Sequence, residues 1–79
     1  MISKDDFRTA VFKSIKQIKS LNTVNISDDE NFTVVGLDSL DAMDLVIQVE
    51  TITGLDFGEL DPAKANTINS FYQKACELK

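Results

Sequence analysis

Residues 36–54 read GLDSLDAMDLVIQVETITG, and this segment decides the fold. Its apolar residues recur at spacings of three and four, which is the period of an α-helix. Ser39 is suited to cap the start of the helix, and Gly54 is suited to end it in a left-handed conformation. The helical period gathers one apolar set on a single side, which we expect to face the core: Ala42, Leu45, Val46, Val49 and Ile52.

The same helix has a second apolar side that a small bundle cannot also bury. This side carries an apolar strip between acidic edges: Leu40, Met43 and Ile47, with Asp41 and Asp44 on one edge and Glu50 on the other. Single apolar residues are ordinary on protein surfaces, and chance alone can group three of them. An apolar strip with a rim of like charges is, however, typical of a docking surface, and we favour that interpretation.

The flanking sequence predicts further helices around this one. Ser3 is suited to cap a first helix that runs to about Lys19, with a stripe formed by Phe7, Ala10, Val11, Ser14, Ile15 and Ile18. Asp61-Pro62 predicts one short helical turn, and Asn66-Thr67 caps a last helix with a stripe of Ile68, Phe71, Tyr72, Ala75 and Leu78.

Between the first two helices, no period persists from Leu21 to Asp38. We expect a long loop there, anchored in the core by Val24, Ile26, Phe32 and Val35. The predicted fold is therefore all-α: a small four-helix bundle of three longer helices and one short one, formed by residues 1–79 as a single domain.

Charge and composition exclude several classes of function. Thirteen acidic residues against eight basic ones give a net charge of −5, which disfavours binding to nucleic acid. Ten of the acids lie between Asp28 and Asp61, where no basic residue occurs, so the expected partners have basic surfaces. The N-terminus has neither a secretory signal nor a membrane span, which predicts a cytoplasmic protein.

The sequence also argues against catalysis and metal binding. There is no histidine and no G-x-S-x-G segment to activate a serine, and a lone Cys76 without histidine does not make a metal site. From these residues alone, Ser39 is most simply a helix cap. The chain could then be an acidic helical adaptor that is never modified.

A resemblance changes the interpretation of Ser39. The run Gly36-Leu37-Asp38-Ser39-Leu40-Asp41 resembles the G-x-D-S-L-[DE] signature of acyl carrier proteins, and an amphipathic helix of the expected length follows it. The resemblance extends along the whole chain. It implies that Ser39 receives 4′-phosphopantetheine from coenzyme A through a phosphopantetheinyl transferase, and that the protein carries acyl groups as thioesters without catalysing a reaction itself.

The resemblance also implies a surface that meets partner enzymes. The matching positions are Asp38, Leu40, Asp41, Met43, Asp44, Ile47, Glu50 and Asp56. The implied partners are acyl-loading enzymes, ketosynthases, reductases or acyltransferases with basic docking patches, which a monomeric carrier would visit in turn. The resemblance leaves the pathway open between fatty-acid, polyketide and other specialised acyl biosynthesis.

Some positions depart from the common fatty-acid carrier. Val34-Val35-Gly36-Leu37 stands where an acidic-Leu-Gly-Ala run is frequent, and Gln48, Thr51 and Ile52 replace small or acidic residues. These departures favour a dedicated pathway. An aminoacyl or peptidyl carrier of a nonribosomal pathway is the main alternative, although Asp38 stands where such carriers usually have glycine.

Overall fold

The computed structural model describes residues 2–58 and 60–77. It contains three α-helices, α1 (Lys4–Lys19), α2 (Ser39–Thr53) and α3 (Ile68–Glu77), and among the described residues there is no strand. The all-helical prediction is confirmed, but the four-helix bundle is wrong. The predicted short helix is a single 3₁₀ turn, Pro62–Lys64, because Asp61 and Pro62 start a turn that has only three residues before Ala65 ends it.

The ends of the helices follow the predicted capping residues at most positions. Ser3 Oγ accepts a hydrogen bond from Asp6 N at 3.1 Å, and Ser20 ends α1 in the left-handed region at φ 54°. Thr67 Oγ1 accepts from Ser70 N at 3.0 Å at the start of α3. Gly54 ends α2 in the left-handed region at φ 76°, which a residue without a Cβ adopts with little strain.

The core lies where the apolar sides of the three helices meet. Phe71 is its centre, since its ring lies 5.0 Å from those of both Phe7 and Phe57. Leu45 and Val49 of α2 are fully buried in this core, as the helical period predicted. The predicted stripe of α1 is also buried, except that Ile18 is only half-buried. Leu78 lies outside the described residues.

Of the predicted core side of α2, Ala42 and Val46 are half-buried, and Ile52 departs furthest from the prediction. We expected it to face the core, but 41% of its surface is exposed. It lies in the last turn of the helix, where it lines a shallow groove with Lys13 and Gln17 of α1. The core contacts of α2 therefore end one turn earlier than the period suggests.

The long loop is held at several points along its length. Ile26, Phe32 and Leu37 are buried, while Val24 and Val35 pack partly against the core. A 3₁₀ turn, Phe32–Val35, interrupts the loop, and Phe32 N donates to Asn66 O at 2.9 Å. These contacts confirm the predicted anchoring and fix the segment that leads into α2.

A polar cluster holds the middle of this loop against α1. The Arg8 guanidinium binds both carboxylate oxygens of Asp28, with Nε and Nη2 at 2.8 and 2.7 Å. Asn69 N, in the first turn of α3, donates to Asp28 O at 3.0 Å. Asp28 therefore joins the loop to both α1 and α3. The bidentate geometry makes the Arg8–Asp28 ion pair a strong contact.

Candidate functional site

Ser39 occupies the first position of α2, and it is not the cap. Asp38 has extended backbone at φ −97° and its Oδ1 accepts a hydrogen bond from Asp41 N at 2.9 Å. Asp41 Oδ2 accepts from Asp38 N in return at 3.3 Å, which completes a capping box. Our prediction that Ser39 caps the helix is therefore wrong by one residue, because the side chain of Asp38 accepts from the N–H of Asp41 in the first turn.

The Ser39 side chain is consequently available for chemistry. The residue is exposed, and within residues 2–58 and 60–77 its hydroxyl makes no hydrogen bond to another group. Ser39 lies at the N-terminal end of α2, where the helix dipole favours negative charge. Replacement or modification of this hydroxyl need not disturb the cap, since that function belongs to Asp38.

A groove of about 230 Å³ opens beside Ser39. Its walls are mainly apolar and come from the first 3₁₀ turn, from α2 and from the second 3₁₀ turn: Phe32, Leu37, Ala42, Pro62 and Ala63, with Asn66 as a polar neighbour. The sequence did not predict this groove, because its walls are brought together from three separate segments. The groove therefore places an apolar surface next to the Ser39 side chain.

The apolar strip of α2 is exposed, as predicted. Leu40 is 76% exposed, Met43 54% and Ile47 58%. Val34, in the first 3₁₀ turn, is also largely exposed, which sequence analysis did not single out. Exposed apolar side chains on consecutive turns of one helix form the kind of patch that marks an interaction surface.

Asp41 is not the freely solvated acid that the helical period suggested. Lys19 Nζ, at the end of α1, lies 2.6 Å from Asp41 Oδ2, and only 24% of the Asp41 side chain is exposed. The Lys19 ammonium and the hydrogen bond from Asp38 N hold the pKa of Asp41 below its usual value. Asp41 raises the pKa of Lys19 in turn, so both groups are charged at neutral pH.

The other predicted acids differ in what they contact. Glu50 is half-buried, and its Oε2 accepts a hydrogen bond from Phe57 N at 2.8 Å. Asp56 Oδ1 accepts from Gly58 N at 2.9 Å in a tight turn. Asp44 is exposed and, within the described part of the chain, takes part in no ion pair or side-chain hydrogen bond. Among the acids of the predicted surface, Asp44 is therefore the one whose carboxylate has no partner within the described residues.

The described residues contain neither a metal-binding cluster nor a membrane-spanning helix. Across residues 2–58 and 60–77, no group of three or more histidine, cysteine, aspartate or glutamate residues is arranged to hold a metal ion. In the same residues, each helix is too short or too polar to span a lipid bilayer.

Comparison with known proteins identifies one family. The family described as "Phosphopantetheine attachment site" matches residues 10–74, which is most of the chain and includes Ser39 and its surroundings. No curated protein and no solved structure gives a significant match.

Proposed function

The chain belongs to the phosphopantetheine attachment family, whose members carry covalently attached 4′-phosphopantetheine, and on this premise we propose that it is an acyl carrier protein with the arm on Ser39 Oγ. The observation that carries the proposal is the position of Ser39 at the start of α2, inside the matched region. Its side chain is exposed, and its hydroxyl has no hydrogen bond to the residues that the structure describes. Domains of this family generally act as carriers for other enzymes.

The surroundings of Ser39 fit a phosphodiester at its Oγ. The first turn of α2 has N–H groups that favour negative charge, which offsets part of the repulsion from Asp38 and Asp41. The ion pair with Lys19 neutralises Asp41 locally, which lowers that repulsion further. The cap formed by Asp38 holds the helix start whether or not Ser39 is modified.

When attached, the arm supplies a terminal thiol that holds an acyl group as a thioester. The groove beside Ser39 offers apolar walls against which such a chain can rest, with Phe32, Ala42 and Pro62 among its lining residues. Contact with these walls would remove apolar surface from water, which favours an acyl chain bound in the groove over one exposed to solvent. The protein itself needs no catalytic group for this role.

The surface around Ser39 is proposed to meet the partner enzymes. The exposed strip of Leu40, Met43 and Ile47 provides apolar contact area, and Asp44 provides a charge for a basic partner that forms no ion pair with the described residues. Asp38, Asp41, Glu50 and Asp56 remain proposed members of this surface, although each already has an internal hydrogen bond. The proposed partners are a phosphopantetheinyl transferase and then acyl-loading, ketosynthase, reductase or acyltransferase enzymes.

The cargo is proposed to be an acyl group and not an aminoacyl or peptidyl group. Support comes from Asp38, which stands where peptide-synthetase carriers usually have glycine and which here provides the helix cap. Loading assays with fatty acyl and with amino acid substrates distinguish the two. Acceptance of amino acids alone would favour the peptidyl alternative.

The attachment is tested by mass spectrometry. The purified protein is incubated with coenzyme A and a broad-specificity phosphopantetheinyl transferase, and the wild type is expected to gain the mass of one phosphopantetheine. Ser39→Ala is expected to gain nothing, whereas Ser27→Ala, at another exposed serine of the preceding loop, is expected to be modified like the wild type. An unmodified wild type, in an assay where a known carrier is modified, would contradict the proposal.

A further inference from the structure

Lys19 is the only group of α1 that forms an ion pair with α2 within the described residues. It is the last residue of α1, and its Nζ lies 2.6 Å from Asp41 Oδ2. A Cβ placed on Gly36 would lie 3.8 Å from Lys19 Cε, so the stem of the lysine passes close over the glycine that ends the first 3₁₀ turn. The lysine thus reaches past the loop to the start of α2.

This contact makes two neighbouring acids of α2 unequal. Asp41 Oδ2 receives both Lys19 Nζ and Asp38 N, and the side chain is largely covered. Asp44, one turn further along the helix, is exposed and has no such contact in the part of the chain that the structure describes. The helical period places both acids on the same edge of the apolar strip and does not distinguish them.

We propose that Lys19 masks Asp41, so that a basic partner surface first engages Asp44 beside Met43 and Ile47 and gains Asp41 only by displacing Lys19. This inference rests on the proposed carrier function, since it concerns the partners that dock next to Ser39. Lys19 is a positioning residue and does not itself contact the reacting atoms.

The physical reason is that a carboxylate already paired with a lysine attracts a partner cation less strongly than an unpaired carboxylate does. A partner cation that binds Asp41 must first break the contact with Lys19, and its own repulsion from that ammonium opposes the approach. Binding to Asp44 breaks no such contact among the described residues. Removing the Lys19 charge therefore adds an available acid to the docking surface, whereas removing an unpaired lysine elsewhere on α1 changes only the overall field.

The test compares wild type, Lys19→Met and Lys16→Met in transferase loading. Methionine keeps an unbranched apolar stem, and Lys16 is an exposed lysine one turn earlier that has no ion pair in the described residues. At about 0.15 M salt, where charges beyond about 8 Å are screened, Lys19→Met is expected to raise kcat/KM by about 1.5- to 5-fold, as for one exposed charge pair. Lys16→Met is expected to stay close to wild type.

A second comparison does not depend on Lys19→Met alone. Asp44→Asn is expected to lower kcat/KM by a similar factor in the natural and in the Lys19→Met backgrounds. Asp41→Asn keeps an oxygen for the capping box, and it is expected to have a clearly larger effect in the Lys19→Met background than in the natural one. Thermal unfolding of each variant establishes that it is folded.

The outcomes separate this inference from the proposed function. If wild type is loaded but Lys19→Met and Lys16→Met behave alike, the masking is refuted and the carrier function stands. An Asp41→Asn effect of equal size in both backgrounds refutes the masking in the same way. If the wild type accepts no phosphopantetheine, the carrier function itself fails, and the inference fails with it.

Discussion

The cap of α2 gives the sharpest prediction about stability. Asp38→Ala removes the Oδ1 that accepts from Asp41 N at 2.9 Å, which is worth about 1 kcal/mol for a cap of this type. It also removes a negative charge from the positive end of the helix, worth about 0.3–1 kcal/mol more. We therefore expect the free energy of unfolding to fall by about 1–2 kcal/mol, and each kcal/mol lowers the Tm of a domain this small by about 4–8 °C.

Urea unfolding followed by circular dichroism measures this loss, with two matched variants as controls. Asp38→Asn keeps an oxygen acceptor and is expected to lose only the charge contribution. Ser39→Ala is expected to stay within about 0.5 kcal/mol of wild type, because its hydroxyl has no bond within the described residues. Equal destabilisation by Ser39→Ala and Asp38→Ala would refute the assignment of Asp38 as the cap. A stable Ser39→Ala also makes it a clean negative control for attachment.

Two further predictions concern contacts that join the helices to the loops. The Arg8 guanidinium holds the pKa of Asp28 at about 2, below its usual 3.8, so this pair stabilises the fold above about pH 4 and is lost as the pH falls through about 2. We expect the urea midpoint to fall less between about pH 5 and 2 in Asp28→Asn than in wild type, and parallel curves would argue against the pair. Glu50→Ala leaves the N–H of the buried Phe57 without its acceptor, so we expect the free energy of unfolding to fall by about 1–3 kcal/mol and the Phe57 amide to exchange faster. Glu50→Gln keeps an oxygen acceptor, and we expect its stability and its Phe57 exchange rate to stay near wild type. Equal effects of the two variants would show that the charge of Glu50, and not its hydrogen bond, stabilises the fold.

Local sequence determined the three longer helices and their inward sides. The helical period placed Leu45, Val49 and Ile68 in the core, and all three are fully buried. It also left Leu40 and Met43 exposed on the other side of α2. These predictions succeeded because burial of one side of an amphipathic helix follows from its period, whatever the neighbouring elements are. Ser3 and Gly54 likewise act through bonds within a few residues.

Tertiary structure alone decided which groups near Ser39 are free. A helical wheel treats Asp41, Asp44 and Glu50 as equally exposed acids, yet Lys19 covers the first and Phe57 N binds the last. Lys19 and Asp41 are far apart in sequence, and no period relates residues of different helices. The groove beside Ser39 arises in the same way, from segments that meet only when the chain folds. Sequence therefore gives the faces of each helix, while the pairing of charges between helices depends on how those faces are brought together.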